Sequence, residues 1–246
     1  MNLHTTNAAK KKHMKMGVVR VTTTKKPPYR SKIKITSPFL NDIGFIQGTP
    51  IIATLRPDGF TLNLRDINGA DKMCGNSKLI HVGLDGKKTT LTLNFSNNFS
   101  TPELSTDDFL AIRYEYGVIT AKKLPPAQKY YVVAAQNYGA FLRLNGAWLT
   151  EAGFMPDAIV TVARQPGNIT LRTWEDMTST YDEIVKFARA HQYQVMQVQR
   201  NQEITFFDLD GYLLNRAGFE TNSIAGINYE YGTISLFKPD LQKLGL

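Results

Sequence analysis

The chain has 246 residues, is 42% hydrophobic and carries a formal net charge of +8. That length and apolar content suit a folded protein of one large or two small domains, and no apolar run approaches the roughly 20 residues of a membrane-spanning helix. A single cysteine, Cys74, excludes an internal disulfide, and no apolar leader resembling a signal peptide opens the chain, so the expected location is the cytosol.

The positive charge lies at one end. Lys10, Lys11, Lys12, Lys15, Arg20, Lys25, Lys26, Arg30, Lys32 and Lys34 occur with no Asp or Glu among them, so the rest of the chain has a net charge of −2. Residues 1–15 are expected to form a disordered basic arm, being polar, charged and without periodicity. Val18 to Val21 is a short apolar run. Pro27-Pro28-Tyr29-Arg30 joins it to the alternating Ile33 and Ile35, to Phe39-Leu40, to Gly44-Phe45 and to the turn Arg56-Pro57-Asp58-Gly59. The polar loop Asp66 to Asn76 holds Cys74.

Leu79 to Val82 then precedes Leu91, Leu93 and the hairpin Tyr114-Glu115-Tyr116-Gly117-Val118-Ile119-Thr120. Lys122 to Ala127, with its double proline, breaks regular structure. After it come Tyr131 to Ala134, the strand Phe141 to Leu144, and a compact turn with Trp148, Leu149 and Phe154 as its apolar residues. Two strands follow, Ile159 to Ala163 and Ile169 to Arg172, joined by the hairpin connection Gln165-Pro166-Gly167-Asn168. Ala152-Gly153-Phe154 reads as the end of a one-turn helix at a glycine free to adopt positive φ. A linking helix is expected near 179–190. Thr180 and Glu183 form a capping-box pattern there, and Tyr181, Ile184, Val185 and Ala188 share a face. The last quarter holds Tyr193 to Val198, Phe207 to Leu214, Ala217-Gly218-Phe219 and Tyr229 to Leu236.

These segments are four copies of one unit. Gly153 to Gly167 is 14 positions, as is Gly218 to Gly232. The first copy has a hairpin one residue longer. The second is degenerate: counting back 14 from Gly117 gives Glu103-Leu104 instead of Gly-Phe, and Phe99 takes the place of the turn leucine. Each unit is preceded by an extra apolar run.

Gly146, Trp148, Leu149, Gly153, Phe154, Val160, Val162, Gly167, Ile169 and Leu171 carry a resemblance to the SymE-like toxins of the AbrB/MazE swapped-hairpin superfamily. The resemblance implies a mostly β fold in which hairpins of two units interleave to close a barrel, since an isolated hairpin is marginal in water. Four copies then imply two pseudo-dimeric barrels within one chain, at 16–124 and 128–240, monomeric or assembling further. It also implies a nucleic-acid partner, RNA ahead of DNA, and extends to RNA cleavage within a toxin–antitoxin system. Two other readings stay open. One is a protein–protein interaction module of a phage or mobile element that binds a host factor. The other is an AbrB-like DNA-binding regulator.

No catalytic constellation stands out. His4, His13, His81 and His191 are scattered, no pair has metal-ligand spacing, and no phosphate loop or nucleophile elbow occurs. No cofactor or metal is expected. Metal-free RNA cleavage needs a general base, a general acid and cationic stabilisation of the phosphorane. Glu151 and Asp157 near the third turn are the acids to consider, although helix-turn capping and solubility explain them more readily. The expected nucleic-acid contacts are the ten basic residues named above together with Arg143, Arg164 and Arg172 on strands. Tyr114, Tyr116, Tyr229 and Tyr231 are expected to pack across strands instead of stacking on bases, because Glu115 and Glu230 beside them oppose phosphate.

Overall fold

The computed structural model describes residues 15–23, 31–37, 39–65, 77–85, 88–94, 104–136, 139–175 and 178–246. The fold is mostly β, with four antiparallel sheets and a few short helices among these residues. It divides into two compact units, one comprising Met1–Leu124 with Gln242–Leu246 and the other Pro125–Leu241.

The first unit contains β1 (Lys15–Arg20), β2 (Thr22–Thr23), β3 (Ser31–Thr36), the one-turn α1 (Phe39–Asp42), β4 (Pro50–Arg56) and β5 (Gly59–Leu64). There follow β6 (Ser77–His81), β7 (Gly83–Asp85), β8 (Lys88–Asn94), β9 (Phe109–Glu115) and β10 (Val118–Lys123). The second unit contains β11 (Lys129–Val132), β12 (Ala134–Gln136), β13 (Gly139–Asn145), α2 (Ala147–Glu151), β14 (Ile159–Gln165) and β15 (Asn168–Thr173). It continues with α3 (Tyr181–Ala190), β16 (Gln194–Gln197), β17 (Gln199–Asn201), β18 (Ile204–Leu209), α4 (Gly211–Arg216), β19 (Ile224–Glu230) and β20 (Thr233–Phe237).

Each unit has a six-stranded and a four-stranded sheet, and their strand orders correspond. The six-stranded orders are β1-β9-β10-β5-β4-β6 and β11-β19-β20-β15-β14-β16; the four-stranded orders are β2-β3-β8-β7 and β12-β13-β18-β17. Hairpins of consecutive repeats lie side by side through β10–β5 and β15–β20. The strand before each hairpin crosses to the other repeat: β1 pairs with β9, β6 with β4, β11 with β19 and β16 with β14. Every sheet has two ends, so none closes into a barrel among the described residues.

The extended segment that holds each of the four extra apolar runs is divided in two by a buried valine at or next to the end of the run, and is not one continuous strand. Val21, Val82, Val133 and Val198 are at most 3% exposed and fall between β1 and β2, β6 and β7, β11 and β12, and β16 and β17. One half joins the six-stranded sheet and the other the four-stranded sheet, so the valine is a corner at which the chain changes sheets. Each valine is clamped by two backbone hydrogen bonds to the paired repeat. Val21 bonds Asp107 and Asp108, Val82 bonds Gly48 and Thr49, Val133 bonds Asn222 and Ser223, and Val198 bonds Asp157 and Ala158. One partner in each set, Gly48, Asp107, Asp157 or Asn222, has φ between 66° and 80°. Gly, Asn and Asp are the residues that tolerate this left-handed region. The degenerate second copy therefore keeps this corner, through Asp107.

The Gly-Phe pairs end the short helices as Schellman motifs. The amides of Phe45, Phe154 and Phe219 donate to the carbonyls of Leu40, Leu149 and Leu214, and the glycine before each donates to Asn41, Thr150 and Asn215. The three phenylalanines are fully buried. In the degenerate copy Leu104 stands at the corresponding position, also buried. Phe99 and Glu103 lie outside the described residues, as do the loop with Cys74 and the Pro27-Pro28 connection.

Two local expectations are corrected. The first hairpin turn is not longer: Arg56 pairs with Gly59 around two residues, as Gln165 pairs with Asn168. Its glycine has moved one place into β5. In α3 the capping box is present, with Thr180 as N-cap, but the buried residues are Ile184 and Ala188 only, and Tyr181 is exposed. No helix among the described residues is long and apolar enough to cross a membrane.

Candidate nucleic-acid interface

The basic segment is not a free arm throughout. Lys10, Lys11, Lys12, Lys25, Lys26 and Arg30 lie outside the described residues. Lys15 and Arg20 belong to β1. The Lys15 ammonium sits 3.1 Å from the ring centroid of Phe39, and Arg20 pairs with Asp107 at 2.9 Å. Lys32 and Lys34 belong to β3, where Ile33 and Ile35 turn inward and alternation sends both lysines to the outer face. The residue opposite Lys34 is Thr92.

At the matching register of the second unit stand Arg143 and Asp208. The Arg143 guanidinium makes two hydrogen bonds to the Asp208 carboxylate, at 2.7 and 2.6 Å, and lies 4.5 Å from the Phe206 ring centroid. That bidentate hydrogen bond raises the guanidinium pKa. A phosphate would have to displace Asp208 to engage this arginine fully. Arg172 is exposed on β15, opposite Thr161. Arg164 lies on β14 and shares a face with Val160 and Val162, the opposite face to Arg172. The three arginines are thus not gathered on one surface.

Arg164 instead joins residues that were not singled out in the sequence. The hairpin tip at Gly167 docks on the end of α4, with the Gly167 amide donating to the Ala217 carbonyl and the Lys238 amide donating to Gly167. This brings Arg164 and Arg216 onto Tyr212, a residue 60% exposed, and Lys238 onto Gly218 at the end of the same helix. The guanidinium carbons of Arg164 and Arg216 lie 5.6 and 4.9 Å from the Tyr212 ring centroid. Arg216 also donates to the Tyr212 hydroxyl at 2.8 Å, and the Lys238 ammonium donates to the Gly218 carbonyl at 2.8 Å. None of the three cations forms an ion pair among the described residues. The Arg164 Nη1 is buried without an acceptor. Two like charges about 10 Å apart repel by only about 0.4 kcal/mol in water and more beside a protein surface, so the cluster is tolerable but favours an anion.

The tyrosines divide. Tyr114 is buried, and burial pushes its pKa up to about 12. Tyr229 packs on Trp148 with centroids 4.8 Å apart. Tyr116 and Tyr231, at the hairpin tips, are 68% and 80% exposed. Glu115 lies 3.8 Å from Arg113, and Glu230 helps line a shallow depression with Asn228, Tyr229, Thr233 and Ser235. Glu151 is exposed at the end of α2, and Asp157 serves the left-handed corner beside Val198. His81 is exposed at the end of β6, and His191 caps α3 with its Nδ1 2.8 Å from the Phe187 carbonyl. No group of three or more metal-ligating side chains occurs among the described residues.

No family model and no curated protein matches the chain. Among solved structures it is similar to the pol III beta of Caulobacter crescentus, at 14% identity with a TM-score of 0.14, covering 90% of this chain and 57% of that one. It is also similar to a DNA polymerase sliding clamp from Caulobacter crescentus, at 12% identity and a TM-score of 0.14, over 90% and 56% of the two chains. The chain thus spans a little over half the length of these proteins, and a likeness this slight carries no argument.

Proposed function

We propose that the protein is a tandem swapped-hairpin protein of the SymE-like kind that binds nucleic acid, RNA ahead of DNA. The observation that carries the reading is the run of ten cations without one acid before residue 35. A polyanion is the partner such a field attracts. The crossed strands and paired hairpins support the swapped-hairpin part of the reading. Binding would use the basic segment, the outer face of β3 with Lys32 and Lys34, and strand arginines. RNA cleavage is the further possibility that the resemblance implies; no acid–base pair in the described residues carries it.

The test is an electrophoretic and cleavage assay with labelled single-stranded RNA, duplex RNA and duplex DNA at two salt concentrations. Deleting residues 1–34 is unsuitable, because it removes β1, β2 and most of β3. Charge is removed instead by Lys→Gln at 10, 11, 12, 25 and 26 and Arg30→Gln. Five phosphate contacts give a log–log salt slope of about −4.5 on duplex DNA and about −3.5 on a single strand. The substituted chain should bind more weakly with a flatter slope. RNA fragments would extend the reading to an endoribonuclease. Absence of binding at low salt would overturn it in favour of a protein partner.

A further inference from the structure

We infer that Arg164 and Arg216, against Tyr212, together with Lys238 at the neighbouring Gly218, form a phosphodiester site that holds one nucleotide of a single-stranded nucleic acid, phosphate on the cations and base on the tyrosine ring. The inference rests on the nucleic-acid reading above and assigns it a second, separate contact.

Three observations carry it. The cations have no carboxylate partner among the described residues, and one guanidinium nitrogen of Arg164 is buried without an acceptor. The intramolecular bonds of Arg216 and Lys238 use one donor each, leaving four on the guanidinium and two on the ammonium.

Nor is the cluster required by the fold. The third and fourth repeats are offset by 65 positions, from Gly153 to Gly218. The residues that this offset relates to Arg164, Arg216 and Lys238 are Tyr229, Glu151 and Thr173. The same corner of the other repeat is therefore built with an aromatic, an acid and a hydroxyl, and the hairpin tip docks there by the same bond, Gly232 to Ala152.

The third observation is Tyr212. It is 60% exposed on α4, with the guanidinium carbons of Arg164 and Arg216 5.6 and 4.9 Å from its ring centroid. An exposed ring beside cations is the arrangement with which single-strand binders stack a base and hold its phosphate.

The experiment measures binding of a 5′-labelled dodecamer of uridylate to the full chain, to Arg164→Gln/Arg216→Gln/Lys238→Gln, to Tyr212→Leu and to the variant with the six basic-segment residues neutralised. Urea unfolding of each variant establishes that it folds. The triple variant should bind at least tenfold more weakly, with the salt slope flattened by about 0.7, as the loss of one single-strand phosphate contact requires. Tyr212→Leu should weaken binding five- to tenfold and leave the slope unchanged. If the parent binds and the triple variant matches it in affinity and slope, this site is refuted while the nucleic-acid reading stands. If the parent fails to bind RNA but inorganic pyrophosphate raises its melting temperature only while the three cations are present, the cluster takes a free phosphate, and both the nucleotide assignment and the nucleic-acid reading fall. No binding of either probe overturns the proposal outright.

Discussion

At Gly59 the two hairpins of the first unit lie against each other, β5 paired with β10. A Cβ at this position would lie 2.0 Å from the Ala121 carbonyl oxygen. The obstacle is backbone in a paired strand, so no side-chain rotation relieves it. Gly59→Ala should cost about 2–4 kcal/mol, read as a lower urea midpoint by far-UV circular dichroism; an unchanged midpoint would show that β5 and β10 can separate freely. Tyr114 makes a prediction in pH. Its ring occupies the space left by Gly17, and burial raises its pKa to about 12, against about 10 in an unfolded chain. The folded state therefore favours the neutral phenol. The associated stability is complete below pH 10 and is lost as pH climbs through 12, about 2–3 kcal/mol in all. Tyr114→Phe has no proton to lose, so its stability should decline less between pH 10 and 12 than that of the parent. Parallel pH profiles for the two would contradict this.

At the scale of the element, the hairpin tip of one repeat rests on the helical turn of the other. Gly232 donates to Ala152, Gly167 to Ala217 and Gly117 to Ile43. The turn glycines are not equivalent, however. Gly153 (φ 84°) lies under Tyr231, whose ring would be 3.0 Å from a new Cβ, whereas Gly218 (φ 81°) faces open space. Both substitutions to alanine pay for a left-handed backbone, about 1–2 kcal/mol. Gly153→Ala must also displace the tyrosine and should cost more. Adding Tyr231→Ala should remove that excess in a double-mutant cycle; equal costs for the two glycines would mean that the ring does not press on the turn. These turns were legible in the sequence because glycine followed by a buried phenylalanine is a local signal. The sheet-changing corners were not. A valine at the end of a short apolar run looks the same whether the strand runs on or bends, and only the left-handed Gly, Asp or Asn in the other repeat reveals the bend. The cation cluster was hidden for a similar reason. Arg164, Arg216 and Lys238 are far apart in sequence and meet only through the docking of the hairpin on α4, while Arg143 gave no sign in sequence that Asp208 would face it.

At the scale of the molecule, no sheet among the described residues draws strands from both units, and each unit has its own core of buried residues. The chain therefore resembles two small domains more than one large domain. A domain of this size is expected to unfold cooperatively on its own. The placement of tryptophan makes this measurable, since both tryptophans, Trp148 and Trp174, belong to the second unit. Phe45 in the first unit and Phe219 in the second are each fully buried and close the same kind of turn. Truncating either to alanine should cost about 3–5 kcal/mol. At a urea m-value of about 2 kcal/mol/M this moves a midpoint by roughly 1.5–2.5 M. Phe219→Ala should shift the tryptophan-fluorescence transition by that amount. Phe45→Ala should leave tryptophan fluorescence where it was and instead split the circular-dichroism transition in two, because the first unit melts while the second still holds its tryptophans. If Phe45→Ala drags the tryptophan transition down with it, the units share their stability, and a lesion in either core will reach any ligand site in the other.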